Sequence, residues 1–282
     1  LHWYFLPDGK RFRGTIRGVE PSGALRVENE KGEERSYQFK EIEFSVYAPL
    51  GTKSGKTYFS IGDSIGIYVA KRTNLNSDIP AVLESTGNQA NNAKWIYTEE
   101  GWRPASPSDK IVWSSQGEAM DFYAYYPYQQ DIDDPNKMLF SIRQDQRNRD
   151  DFLCSDLLYA ANTLGQNGGT VGLHFAHILS LVEVKVKHNT LPEDAEKTLQ
   201  TGNIVSTVFL NLNSGELIPV ESGKVFFNFS EANIYQAILP PQEIPGGTHF
   251  LQYDQDGATF IYTTSGLKLE SGCKQKLEIT LK

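Results

Sequence analysis

Sulfur is scarce in this sequence, with two cysteines and two methionines among 282 residues. Cys154 and Cys273 stand far apart and fit no metal spacing, so a cysteine-built metal site is excluded. They read as two isolated thiols, with a single disulfide as the other reading. Cationic residues are also in deficit: 27 Lys and Arg face 35 Asp and Glu, a net charge of −8. That balance favours solubility and lacks the basic footprint that nucleic acid requires. No apolar run approaches the roughly 20 residues of a transmembrane helix. The chain opens on Leu1, not Met, and shows no signal peptide, which reads as a processed or trimmed form. Helical periodicity is sparse, confined to "RNRDDFLCSDLLYAAN" at 147–162 and, more weakly, "PEDAEKTL" at Pro192–Leu199.

What the sequence has instead is aromatics, 12% of residues, in many short runs broken by Gly, Pro, Asn and Asp. Such residues suit a pleated, half-buried surface, and the spacing predicts an all-β protein built as β-sandwiches. Residues 1–44 form a separate block. Runs such as "FRGTIRGV" and "ALRVEN" are divided by turn signals at Pro7–Lys10, Pro21–Gly23 and Glu30–Glu33, and predict a small barrel or meander. After it come "IEFSVYA", "YFSIGDSIGIYVA", "KMLFSIRQ", "LVEVKVKH", "ATFIYTT" and other runs of strand texture. The run "MDFYAYYPY" is aromatic on both alternating faces: Phe122, Ala124 and Tyr126 on one, Tyr123 and Tyr125 on the other. A ligand platform would carry polar residues on its back, so the run predicts an inner strand covered on both sides. Its tyrosine hydroxyls then need partners.

The motifs that carry chemistry are incomplete. In "GTKSGKT", Gly51 and Gly55 enclose three residues where a phosphate-binding loop has four, and strand texture follows instead of a helix. His174 and His177 lack a third ligand, so a structural histidine is the default reading of each. "DIDDPN" at Asp131–Asn136 has Asn, not Gly, at the sixth calcium-loop position, and a solvated turn is expected. No nucleophile elbow and no defined carboxylate pair appear. We therefore expect no enzyme activity, no cofactor and no metal.

Two resemblances follow from these residues. Pro7–Phe44, through its "DGKRF", "GALRVEN" and "FKEIEF" elements, resembles the SH3-like domain that closes biotin–protein ligases. Nothing matches the Gly-Arg-Gly-rich loop of their catalytic domain, so no ligase activity is implied. From Glu41 to Lys282, "EIEFSVYAP", "FSIGDSIGIYVA", "DFYAYYPYQ", "DQRNRDDFLCSDLLYA", "VGLHFAHILSLVEVKV" and "AILPPQEI" together resemble the Mfa-like and FimA-like fimbrillins of Bacteroidales. The resemblance implies two serial transthyretin-like β-sandwiches. With the N-terminal block it divides the chain into 1–44, 45–178 and 179–282. It implies an exported structural protein at the cell surface or outer membrane, a shaft, tip or anchor component of fimbriae whose partners are other subunits in a homo- or hetero-polymer. "DSI" at Asp63–Ile65 matches a short O-glycosylation pattern of these bacteria. The alternative is a surface module binding host, bacterial or dietary glycan ligands through exposed Trp95, Trp102 and Trp113.

The family assembles by strand donation after proteolysis in the loop behind its first strand. Here the exchanged strand is expected at Glu41–Ala48, with Glu41, Ile42, Phe44 and Val46. The processing loop carries Lys53 and Lys56 between glycines, which predicts an accessible segment. Many relatives carry arginine in this loop, and the lysines here depart from that pattern. Leu277, Ile279 and Leu281 alternate along the last run, marking it as a donor strand or as the closing strand of the second sandwich.

Overall fold

A computed structural model describes residues 2–5, 11–20, 25–37, 43–48, 58–73, 79–114, 117–187, 197–231 and 233–281. Its strands are β1 (His2–Phe5), β2 (Arg11–Val19), β3 (Leu25–Asn29), β4 (Glu34–Tyr37), β5 (Glu43–Tyr47), β6 (Ser64–Lys71), β7 (Ala90–Thr98) and β8 (Gly101–Pro104). Then follow β9 (Met120–Tyr126), β10 (Met138–Ser141), helix α1 (Arg149–Cys154), β11 (Leu158–Gln166), β12 (Thr170–His174), β13 (Ala176–His177), β14 (Ser180–Lys187), β15 (Lys197–Thr201) and β16 (Ile204–Asn211). The last are β17 (Glu216–Gly223), β18 (Asn228–Glu231), β19 (Ile234–Leu239), β20 (Gln242–Ile244), β21 (His249–Gln255), β22 (Ala258–Thr263), β23 (Leu267–Leu269) and β24 (Lys274–Thr280). The all-β expectation holds.

Strands β1 to β4 pair in sequence order as an antiparallel meander. Its tight turn is set by Asn29, whose Oδ1 accepts from the backbone N–H groups of Lys31 and Glu33, while Gly32 supplies φ +78°. Arg17 and Glu28 pair across β2 and β3 at 2.6 Å on an exposed face.

Next comes a six-stranded sheet in the order β13-β11-β9-β6-β7-β8. All seven residues of β9 are buried, as the two-faced aromatic pattern predicts. One face sends Ile65, Ile67, Val69, Phe122, Ala124 and Tyr126 into a core shared with Trp95, Trp102 and Trp113. The other sends Tyr68, Ala70, Tyr123 and Tyr125 into a second core. The hydroxyls find partners: Tyr123 donates to the Ala81 carbonyl at 2.6 Å, and Tyr125 lies 2.7 Å from Asn92 Oδ1. Burial pushes the Tyr123 phenol up to about 12, so it stays a neutral donor at any physiological pH.

Besides a β12-β5 pair, the remaining sheets are β10-β16-β17, β18-β19-β14-β24, β15-β21-β22 and β20-β23. Their inner residues, among them Met138, Phe140, Val184, Val208, Leu210, Phe250 and Leu251, join Tyr68, Tyr123 and Tyr125 in one continuous cluster. The cluster is locked by polar contacts across the junction. Asn213 Oδ1 accepts from the Leu83 amide at 2.7 Å, Asn136 Nδ2 donates to the Leu83 carbonyl, and Tyr159 donates to the Leu212 carbonyl. Asn136 of "DIDDPN" thus serves this junction, with Asp134 Oδ1 accepting from its backbone N–H in a local turn.

Both helical expectations are cut back. Of 147–162, only α1 is helical, capped by Asn148 Oδ1 accepting from Asp151 N–H, and Leu158 onward is strand β11. Leu158 and Ala160 are buried between β9 and β13, and that burial overrides helical propensity. Of Pro192–Leu199, residues 192–196 lie outside the described residues, and Lys197–Leu199 belong to strand β15.

Candidate strand-exchange site

Strand β5 lies parallel to β12, with Phe44 opposite Val171 and Val46 opposite Leu173. These two strands form a sheet of their own over the inner face of the six-stranded sheet. Side chains alternate along a strand, so Phe44 and Val46 point to the core while Ser45 and Tyr47 point away. Phe44 meets Trp95 edge-on at 4.8 Å and Phe122 at 5.8 Å between ring centroids. Each such contact is worth about 0.5–1.5 kcal/mol beyond area burial. On the outer face Tyr47 stacks on His174 at 4.3 Å, and its carbonyl accepts from the Phe175 amide.

A second anchor lies on the far side of the segment that follows β5. Phe59 sits among Trp102, Tyr126 and Phe175 at 5.0, 5.7 and 5.6 Å. The stretch carrying Lys53 and Lys56 is therefore bracketed by Phe44 and Val46 before it and by Phe59 after it. Lys53, Lys56, Glu41 and Ile42 lie outside the described residues, as does all of "GTKSGKT".

Leu277, Ile279 and Leu281 of the candidate donor run pack on the second core. Strand β24 is parallel to β14, with Leu277 opposite Val184 and Ile279 opposite Val186. Its outer face is a charge ladder. Lys274 meets Glu183 at 2.5 Å, and Glu278 meets Lys187 at 2.6 Å. Burial pushes the Glu183 carboxyl up, but hydrogen bonds from Lys274 and Gln236, with the charges of Lys274 and Lys276, outweigh it and hold Glu183 below its ordinary range. A depressed folded pKa gives stability that is present above the unfolded value, about 4.5 for this group, and lost as pH falls through the folded one. Amide protection factors in β24, corrected for the intrinsic slowing of exchange in acid, should therefore fall on acidification below that value, and Glu183→Gln should flatten the dependence. An unchanged profile in the variant would assign the effect to other carboxylates.

The remaining expected site residues separate. His174 is engaged with Tyr47, whereas His177 Nδ1 lies 2.9 Å from Asp156 Oδ1. Among the described residues no three His, Cys, Asp or Glu side chains gather as a metal site. Trp95, Trp102 and Trp113 are buried, which corrects the reading of an exposed glycan-stacking cleft. Their indoles are needed to fill the core that Phe44 closes. Ser64 is half-buried at the start of β6. The buried pair Arg72–Asp121 escaped sequence reading. Asp121 accepts from Arg72 Nε and Nη2 at 2.9 and 3.0 Å, and from the amides of Ala81 and Gly165. Asp121 interrupting an apolar run was the one available signal.

Comparison with known proteins now places the chain. A family model described as fimbrillin-like matches residues 52–282. The chain belongs to this fimbrillin-like family. Solved structures agree on the fold. A putative cell adhesion protein of Bacteroides uniformis is 19% identical with a TM-score of 0.63, the match covering 86% of this chain and 93% of that one. Another from Bacteroides ovatus gives 18%, 0.64, 87% and 93%. A fimbrial protein from Bacteroides ovatus gives 16% and 0.50, with 87% of this fimbrillin-like chain covered and 52% of that one. No curated protein matches. No helix among the described residues is long and apolar enough to cross a membrane.

Proposed function

We propose that this fimbrillin-like chain is a structural component of surface fimbriae that accepts a strand from a neighbouring subunit in the place of β5. The observation that carries the reading is the seating of β5. Among the described residues it pairs with β12 alone and closes an aromatic core through Phe44 and Val46. A cut behind β5 leaves that strand held only by noncovalent contacts. Its departure exposes the β12 edge beside an apolar slot, and an incoming strand satisfies both.

An incoming strand needs apolar side chains at alternate positions. Leu277, Ile279 and Leu281 have that pattern, and donation by β24 requires releasing it from β14 and from the ladder at Glu183 and Lys187. The division 1–44, 45–178 and 179–282 organises the chain, except that β5 belongs whole to the middle unit through its pairing with β12 and β10 is contributed to the last sandwich through its pairing with β16.

Trypsin-limited proteolysis should cut first at Lys53 or Lys56, and the cut protein should form filaments visible by electron microscopy. Phe44→Ala, which loosens the resident strand, should speed assembly after the cut. Resistance of this loop, or a cut protein that stays monomeric at high concentration, would overturn acceptance at β5 and favour a terminal or anchoring role.

A further inference from the structure

Sheet edges differ sharply in how they are defended. Edge strand β17 carries Glu216, Pro219 and Glu221, β8 ends in Pro104, and β24 carries Lys274, Lys276 and Glu278. Charges and prolines of this kind block accidental strand pairing. Strand β22 ends the sheet β15-β21-β22, and its sequence Ala-Thr-Phe-Ile-Tyr-Thr contains neither. Among the described residues only β21 pairs with it.

We infer that the β22 edge pairs antiparallel with β22 of a second copy of this chain, about a twofold axis through Ile261. The segment Thr259–Thr263 is a chemical palindrome: threonine, aromatic, isoleucine, aromatic, threonine. Antiparallel pairing centred on Ile261 sets each Thr259 opposite Thr263 of the second copy, each Phe260 opposite its Tyr262, and the two Ile261 residues opposite each other. Thr–Thr and aromatic–aromatic pairs are favourable cross-strand pairs, and no like charges are brought together.

The hydrogen-bond phase agrees. The β21–β22 hairpin turns on Asp256 and Gly257, both at positive φ, the mark of a two-residue type I′ loop. Gln255 and Ala258 flank the loop as a hydrogen-bonded pair, so Ala258, Phe260 and Tyr262 direct their backbone groups to β21. Thr259, Ile261 and Thr263 direct theirs to the open edge, and these are the residues that the twofold pairing joins by hydrogen bonds. The side chains follow the same division. Ile261 is 60% exposed, whereas Phe260 and Tyr262 lean on the core, so the pairing extends that apolar layer across the axis.

Five paired residues bury less than the roughly 1,200 Å² of a stable interface, so the dimer forms at high protein concentration. Sedimentation velocity of the uncut full chain over a concentration series should show the mass doubling and then stopping, because a twofold contact closes. Ile261→Lys should abolish the doubling without changing the melting temperature. An equimolar mixture of Ile261→Lys and Ile261→Glu proteins should restore it. In a background with Cys154→Ser and Cys273→Ser, Ile261→Cys should oxidise to a covalent dimer. A monomer at every concentration without crosslinking, a dimer indifferent to Ile261→Lys, or open-ended growth of the uncut chain would each overturn the proposal. Failure of strand donation at β5 would leave it standing, since it needs no cut.

Discussion

Replacing Asp121 with alanine should lower the unfolding free energy by about 3–5 kcal/mol, the cost of breaking a buried ion pair from one side. Asp121 is fully buried and the Arg72 side chain is 7% exposed. The change strips the guanidinium of a bidentate partner and removes the acceptor of the Ala81 and Gly165 amides. That range includes the orphaned amides, each buried unsatisfied donor costing about 1–3 kcal/mol. Arg72→Met combined with Asp121→Leu should recover part of the loss, because the charge is gone, but not all, because the amides stay unsatisfied. Urea denaturation of the unaltered protein and the two variants reads this order. A loss under about 1 kcal/mol for the single change would show that the site collapses or admits water at little cost, contrary to the one-sided penalty expected of a buried pair.

Gly66→Val should be the most damaging glycine substitution in the six-stranded sheet. A Cβ at this position would lie 2.3 Å from Tyr125 Cε1, 2.5 Å from its Cζ and 2.6 Å from Asn92 Oδ1. The tyrosine ring therefore lies over the bare backbone of β6. It has little room to withdraw, because its hydroxyl is held by Asn92 and Gln129. Overpacking of this kind costs about 1–3 kcal/mol, and the displaced hydroxyl adds about 1. A double-mutant cycle checks the mechanism: in a Tyr125→Ala background, Gly66→Ala should cost far less than alone. Additive effects would locate the strain elsewhere.

Much of this was legible because strand residues speak through alternation. The two-faced pattern of β9 gave its burial, and Leu277, Ile279 and Leu281 marked a strand with one apolar side. Strand β17 was not legible, since on an exposed edge "ELIPVESG" has no apolar face to keep. The strand in "LLYAAN" was missed because alanine and leucine favour a helix until neighbouring strands bury them. The tryptophans misled as ligand-stacking groups because their composition is the same in a core as in a cleft. Nor does a single sequence say which strand pairs with which. The parallel partners of β5 and β24, and the transfer of β10 to the second core, depend on contacts between distant residues.

Those parallel pairings have a kinetic consequence. Glu43 joins Thr170 across 127 positions, and Lys274 joins Leu181 across 93. The antiparallel pairings between strands span less, the longest being Met138 to Leu210 across 72 positions, and several are short hairpins. Contacts of long sequence separation require the largest loop closures before they return any binding energy, so they form late and raise the contact order of the chain. A strand that joins last leaves a body already largely built, which lets it come away without global unfolding. The long reach of this pairing suits the strand exchange proposed for β5, and amide exchange during refolding should find β5 among the last segments to become protected.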